Sequence, residues 1–125
     1  MISRHASAAL LVSLLAAPAS ADDWPQWMGP ARDGLTAERG LLPSWPEGGP
    51  RRAWRFNDCG VGYSGPAIAG GKLYLLGSRD QTEQLLCLDA ASGDELWAAD
   101  LAPEYENGWG NGPRGTPTVD GDRVY

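Results

Sequence analysis

Residues 65–97 read GPAIAGGKLYLLGSRDQTEQLLCLDAASGDELW, and this stretch decides the fold. Short apolar runs lie between turn signals. Ala67-Ile68-Ala69 meets Gly70-Gly71, and Lys72–Leu76 follows. The polar stretch Ser78–Glu83 precedes Gln84–Leu88, and Asp89–Asp94 precedes Glu95–Ala99. Paired glycines and Asp/Ser/Gly clusters between β-type runs predict hairpins, so the stretch predicts one four-stranded antiparallel meander. A helical reading fails because Gly and Pro punctuate the region too often.

The opening of the meander then recurs. Gly65-Pro66-Ala67-Ile68-Ala69-Gly70-Gly71-Lys72-Leu73-Tyr74 aligns with Thr116-Pro117-Thr118-Val119-Asp120-Gly121-Asp122-Arg123-Val124-Tyr125 at an offset of 51 residues. Trp54 and Trp97, each in a strand-like run, stand 43 apart. Four strands repeating every ~40–50 residues is the pattern of β-propeller blades. The longer offset is assigned to a Gly-rich inserted loop, Ala102–Arg114. One blade cannot bury both its faces, so stacked neighbours supply the core. The chain therefore reads as one full blade and the start of a second, part of a longer ring.

Upstream, Met1–His5 is basic, Ala8–Ala17 is apolar, and Ala19-Ser20-Ala21 is an A-x-A cleavage site. That pattern predicts a signal peptide over 1–21, a lead-in over 22–50 and repeats over 51–125. The apolar run is too short to span a membrane. No cysteine follows the cleavage site, so no lipid anchor is expected. The mature chain is expected in the periplasm or outside the cell.

Composition narrows the chemistry. Residues 22–125 hold 16 acidic and 9 basic side chains, a poor partner for nucleic acid or an anionic membrane. The single histidine, His5, lies in the predicted leader, which removes His-based triads, zinc ligands and general bases. The two cysteines, Cys59 and Cys87, make no disulfide framework, and Cys87 in Leu85–Leu88 reads as a buried small hydrophobe.

Several apparent motifs dissolve on inspection. Gly60-Val61-Gly62-Tyr63-Ser64-Gly65 matches G-x-G-x-x-G, but Pro66 and a β run follow where a dinucleotide site needs a helix. Position 66 also breaks a nucleophile elbow, and no histidine exists to activate Ser64. Asp120-Gly121-Asp122 reads as a hairpin turn, since the spaced ligands of a calcium loop are missing. Glu104 and Glu106 read as part of a flexible acidic loop.

One candidate binding set remains. In the repeat alignment Tyr63 and Arg114 are equivalent, each in a Gly-rich loop ahead of a first strand, and Trp109 shares the second loop. Equivalent loops of successive blades share a rim, so Tyr63, Trp109 and Arg114 are expected to line a ligand- or peptide-binding funnel. Simple blade connectors are the competing account.

Cys87-x-Asp89-x-x-Ser92-Gly93-x-x-x-Trp97 resembles the tryptophan-docking repeat of pyrroloquinoline-quinone (PQQ)-like propellers, Ala-x-Asp-x-x-Thr-Gly-x-x-x-Trp. Physically, Asp89 can accept turn amides, Gly93 suits a left-handed position, and Trp97 offers a planar packing surface. Asp23-Trp24-Pro25-Gln26-Trp27-Met28-Gly29-Pro30 resembles the opening of exported members of that family, with Met28 where arginine is usual. The resemblance implies an all-β, quinoprotein-dehydrogenase-like ring, eight-bladed when complete. It also implies that Arg52–Phe56 is an outer strand that closes the ring. Cys87, Asp89, Gly93 and Trp97 would then be structural repeat positions. Two functions follow from it. One is a non-catalytic scaffold binding a protein, an envelope component or a ligand. The other is a dehydrogenase using PQQ and calcium to oxidise alcohols or sugars. The adjacent cysteines, catalytic aspartate and calcium carboxylates of such dehydrogenases are not identifiable in these residues, which favours the scaffold.

Overall fold

The computed structural model describes residues 21–125. The signal peptide expected over 1–21 lies outside the described residues apart from Ala21. Six strands follow one another: β1 (Ala67–Ala69), β2 (Lys72–Arg79), β3 (Thr82–Asp89), β4 (Glu95–Pro103), β5 (Val119–Asp120) and β6 (Arg123–Val124). Among the described residues there is no helix. Strands β1-β2-β3-β4 form an antiparallel meander in chain order, and β5-β6 form a second, two-stranded sheet.

Each hairpin has a local cause. Gly70 and Gly71 take φ of 57° and 73°, the left-handed pair that matches the twist of the strands it joins. Ala67, Ile68 and Ala69 thereby face Tyr74, Leu73 and Lys72. The β2–β3 turn is tighter than the stretch Ser78–Glu83 expected from its polarity. Pairing runs out to Arg79↔Thr82, and only Asp80 and Gln81 turn, with φ of 48° and 63°. The polarity misled because Ser78 is only 4 % exposed and its polar side chain has a partner in the fold. At the β3–β4 turn, Asp89 Oδ1 accepts from the amides of Ala91 and Ser92, each at 2.9 Å. Gly93 follows at φ 79°, its amide donating to the Asp89 carbonyl at 2.8 Å.

Alternation then sorts the side chains. Tyr74, Cys87 and Trp97 face one another across three strands, with the Tyr74 and Trp97 rings 6.1 Å apart. Leu86 and Leu88 point to the opposite face. Both faces of β3 are closed at its centre, since Leu86 and Cys87 are 0 % and Leu88 is 2 % exposed. Burying each leucine contributes about 1.5–3 kcal/mol, so β3 anchors the sheet. The two cysteines are free thiols, and burial raises the pKa of both.

The sequence repeat is also a repeat in space. Val119 faces Val124 and Asp120 faces Arg123, the pairs that an offset of 51 generates from Ile68↔Leu73 and Ala69↔Lys72. Thr118 and Tyr125 exchange both backbone hydrogen bonds at 2.8 Å, as the counterparts of Ala67 and Tyr74. The lead-in stitches the two hairpins together. Trp24 and Ile68 exchange backbone bonds of 2.7 and 2.9 Å, and the Val119 amide donates to the Pro25 carbonyl at 2.8 Å.

Residues 51–60, which include the outer strand expected at Arg52–Phe56, pair with no strand among the described residues. The bridge that follows them is Val61↔Ser78. Side chains hold the segment instead. Trp54 Nε1 donates to the Ala90 carbonyl at 3.0 Å, and its ring lies over Gly93. Arg79 Nε donates to the Asp58 carbonyl at 2.7 Å, with its guanidinium over Phe56. The Cys59 carbonyl occupies the space where Gly77 has no side chain.

Candidate functional site

Two glycine-rich loops meet at the end of the meander that carries the β2–β3 turn. The first, residues 60–65, is bound to β2 where Val61 and Ser78 exchange backbone bonds at 2.9 and 2.8 Å. Pro66 then leads straight into β1, so the G-x-G-x-x-G glycines open a strand and no helix, which closes the dinucleotide reading. Ser64 is a bracket, its Oγ accepting from the Leu76 amide at 3.2 Å and donating to the Gly65 carbonyl at 3.0 Å. The second loop runs from Glu104 to Gly115, because β4 extends through Pro103, two residues into the expected insertion.

Glycine lets the loops interlock. A Cβ on Gly112 would lie 2.5 Å from the Val61 carbonyl oxygen, and one on Gly62 would lie 3.1 Å from Pro113. The amide of Tyr63 donates to the Pro113 carbonyl at 2.8 Å, across this contact. Chain approach of this kind bars a side chain at Gly112, and one at Gly62 would press on the Pro113 ring.

The interlock brings Tyr63 and Arg114 into contact. The Arg114 guanidinium carbon stands 5.0 Å from the Tyr63 ring centre and 5.2 Å from that of Tyr105. Its Nη1 and Nη2 donate to the Gly112 and Gly110 carbonyls at 3.0 and 2.6 Å, which fixes the cation between the two rings. Trp109 joins through its backbone, whose carbonyl accepts from the Tyr63 hydroxyl at 3.2 Å and whose amide donates to Asn107 Oδ1 at 2.9 Å. The Trp109 indole itself is 92 % exposed.

Tyr105 is the member that sequence reasoning missed. It lies in a stretch with no counterpart ahead of the first hairpin, so the repeat alignment could not mark it. Glu104 is also corrected. Far from floating in a flexible loop, its carboxylate accepts from Ser78 Oγ at 2.5 Å and from Asn111 Nδ2 at 2.9 Å. Those two bonds, Ser78's first, hold its pKa below the usual carboxylate range. The side chains of Asn107 and Asn111 are likewise consumed inside the loop. This end of the fold presents exposed rings outward together with exposed Asp80, Glu106 and Arg114, beside an open groove lined by Val61, Gly62, Tyr63, Glu104 and Asn111.

The positions read as structural repeats lie elsewhere. Cys87 is core, Asp89 and Gly93 build the β3–β4 turn, and Trp97 packs on Tyr74 with 40 % of its surface exposed. Among the described residues, no group of His, Cys, Asp and Glu is arranged to hold a metal ion, and no helix is long and apolar enough to cross a membrane. No known family, curated protein or solved structure matches this chain.

Proposed function

We propose that this chain belongs to an exported repeat protein of the PQQ-like β-propeller type. In this reading it acts as a non-catalytic scaffold that binds a protein or envelope component through Tyr63, Tyr105, Trp109 and Arg114. The observation that carries the reading is the contact between Tyr63 and Arg114, the equivalent residues of two successive repeats, in a cluster of three exposed aromatic residues. Trp, Tyr and Arg are the residue types that dominate binding hot spots, because they bury large areas with few rotatable bonds.

The recurrence of a hairpin at 51 residues supports the repeat reading. So does the Trp54 ring lying over Gly93, which fastens the segment ahead of the meander to the β3–β4 turn. The alternative is a dehydrogenase taking PQQ and calcium. Affinity capture from an envelope extract, wild type against Trp109→Ala, tests the scaffold reading. A specific partner retained by the wild type and lost by the variant supports it. Dye-linked alcohol oxidation on addition of PQQ and calcium would replace it with the dehydrogenase.

A further inference from the structure

We infer that the partner segment seated on this rim is cationic, presenting a lysine or arginine to the Trp109 indole; this deepens the scaffold reading and rests on it. Two independent observations lead there. The first is the state of the aromatic surface. Trp109 is 92 %, Tyr63 61 % and Tyr105 52 % exposed, and they are held by a loop whose amide side chains are already hydrogen-bonded within the loop. Few polar side chains of the loop are free for a ligand rich in hydroxyl groups, so recognition falls to the ring faces. Ring faces attract cations through the negative pole of the π-system.

The second observation is charge. Residues 80–125 carry ten acidic and two basic side chains, whereas residues 22–79 carry six and seven. At the rim this becomes local. The Glu104 amide donates to the Gln81 carbonyl at 2.8 Å and the Tyr105 amide to Glu83 Oε1 at 3.1 Å, which gathers Asp80, Glu83, Glu104 and Glu106 around the aromatic cluster. Against these four carboxylates stand two guanidiniums: Arg79, ion-paired to Glu95 at 2.6 Å, and Arg114, which is exposed but packs on two rings and donates to two carbonyls. Asp80 and Glu106 are exposed and free to meet an incoming cation. An acidic or anionic partner would meet four carboxylates and only two guanidiniums, both already engaged in hydrogen bonds.

The test uses the full chain and three short peptides in which glycine alternates with lysine, glutamine or glutamate. The readout is the Trp109 indole N–H resonance, assigned by its loss in Trp109→Phe, together with the Gly110 amide resonance. The lysine peptide is expected to move both resonances, with affinity falling as salt rises. Trp109→Ala, followed at Gly110, is expected to weaken binding about two- to fivefold. The pair Asp80→Asn with Glu106→Gln is expected to weaken it by a similar factor and to reduce the salt dependence. Trp45→Ala, an exposed tryptophan outside both loops, should change nothing. An equal response to the glutamine or glutamate peptide overturns the cation assignment while leaving the rim as a binding surface. Lysine-peptide binding that ignores Trp109→Ala, or no binding at all, also overturns the inference. Failure of the scaffold reading is seen separately, as partner capture that survives Trp109→Ala.

Discussion

Replacing Gly93 with alanine separates the two demands made on the β3–β4 turn. The backbone there is left-handed, with φ 79°, which costs a residue with a Cβ about 1–2 kcal/mol. The added Cβ would also lie 2.5 Å from Cε3 and 2.6 Å from Cδ2 of Trp54, so the indole must lift from the turn. Overpacking of that kind adds about 1–3 kcal/mol, giving a total of about 2–5 kcal/mol for Gly93→Ala. Gly70→Ala is the matched control, because φ is 57° there and nothing lies within 4 Å of the new Cβ. It should lose only the backbone part, about 1–2 kcal/mol. Urea titration followed by tryptophan fluorescence and circular dichroism gives both values. In a Trp54→Ala background the excess cost of Gly93→Ala over Gly70→Ala should vanish, since the clash has gone. Equal losses for the two glycine variants, or an excess that persists without Trp54, would refute the claim that this turn is a platform for the indole.

Other perturbations sort structure from function. Amides of Ser92 and Ala91 hold the Asp89 pKa below its ordinary value, so its contribution is complete above the unfolded pKa near 3.8 and is lost as pH falls through the lower folded value. Asp89→Asn should therefore flatten the loss of stability between neutral pH and pH 3, measured by urea titration at each pH. Trp109→Ala should leave stability within about 0.5 kcal/mol, because the side chain is 92 % exposed. Arg114→Ala should cost about 1–2 kcal/mol through lost ring contacts and carbonyl bonds, with faster hydrogen exchange in Gly110–Gly115. Gly77→Ala should be among the most damaging single substitutions, about 3 kcal/mol or more in thermal or urea unfolding, since its Cβ would fall on the Cys59 carbonyl oxygen.

The meander was legible because its signals are local. Gly70-Gly71 and the Asp89–Gly93 turn each specify a hairpin from a few adjacent residues, and alternation places Cys87 between Tyr74 and Trp97 without knowledge of the rest. The repeat was legible for the same reason, as a pattern of side chains that dictates a register. What escaped was non-local. Ser78 looks like a turn residue until Glu104, 26 positions later, supplies its partner. The hold of Trp54 on the Ala90 carbonyl, 36 positions away, could not be read from Arg52–Phe56 alone. Tyr63 and Arg114 could be paired by repeat arithmetic. Tyr105 could not, because only the path of the Glu104–Gly115 loop brings it to the other face of the same guanidinium.

The claim on which the rest depends is that the loops ahead of two successive repeat hairpins meet, giving Tyr63 and Arg114 one shared surface. Nuclear Overhauser contacts between the Tyr63 ring and the Arg114 side chain measure this directly. Cross-peaks from the Arg114 δ-protons to the rings of both Tyr63 and Tyr105, with those protons shifted upfield by the ring currents, are the predicted result. An Arg114 side chain with solvent-like shifts and no contact to either ring would contradict the account.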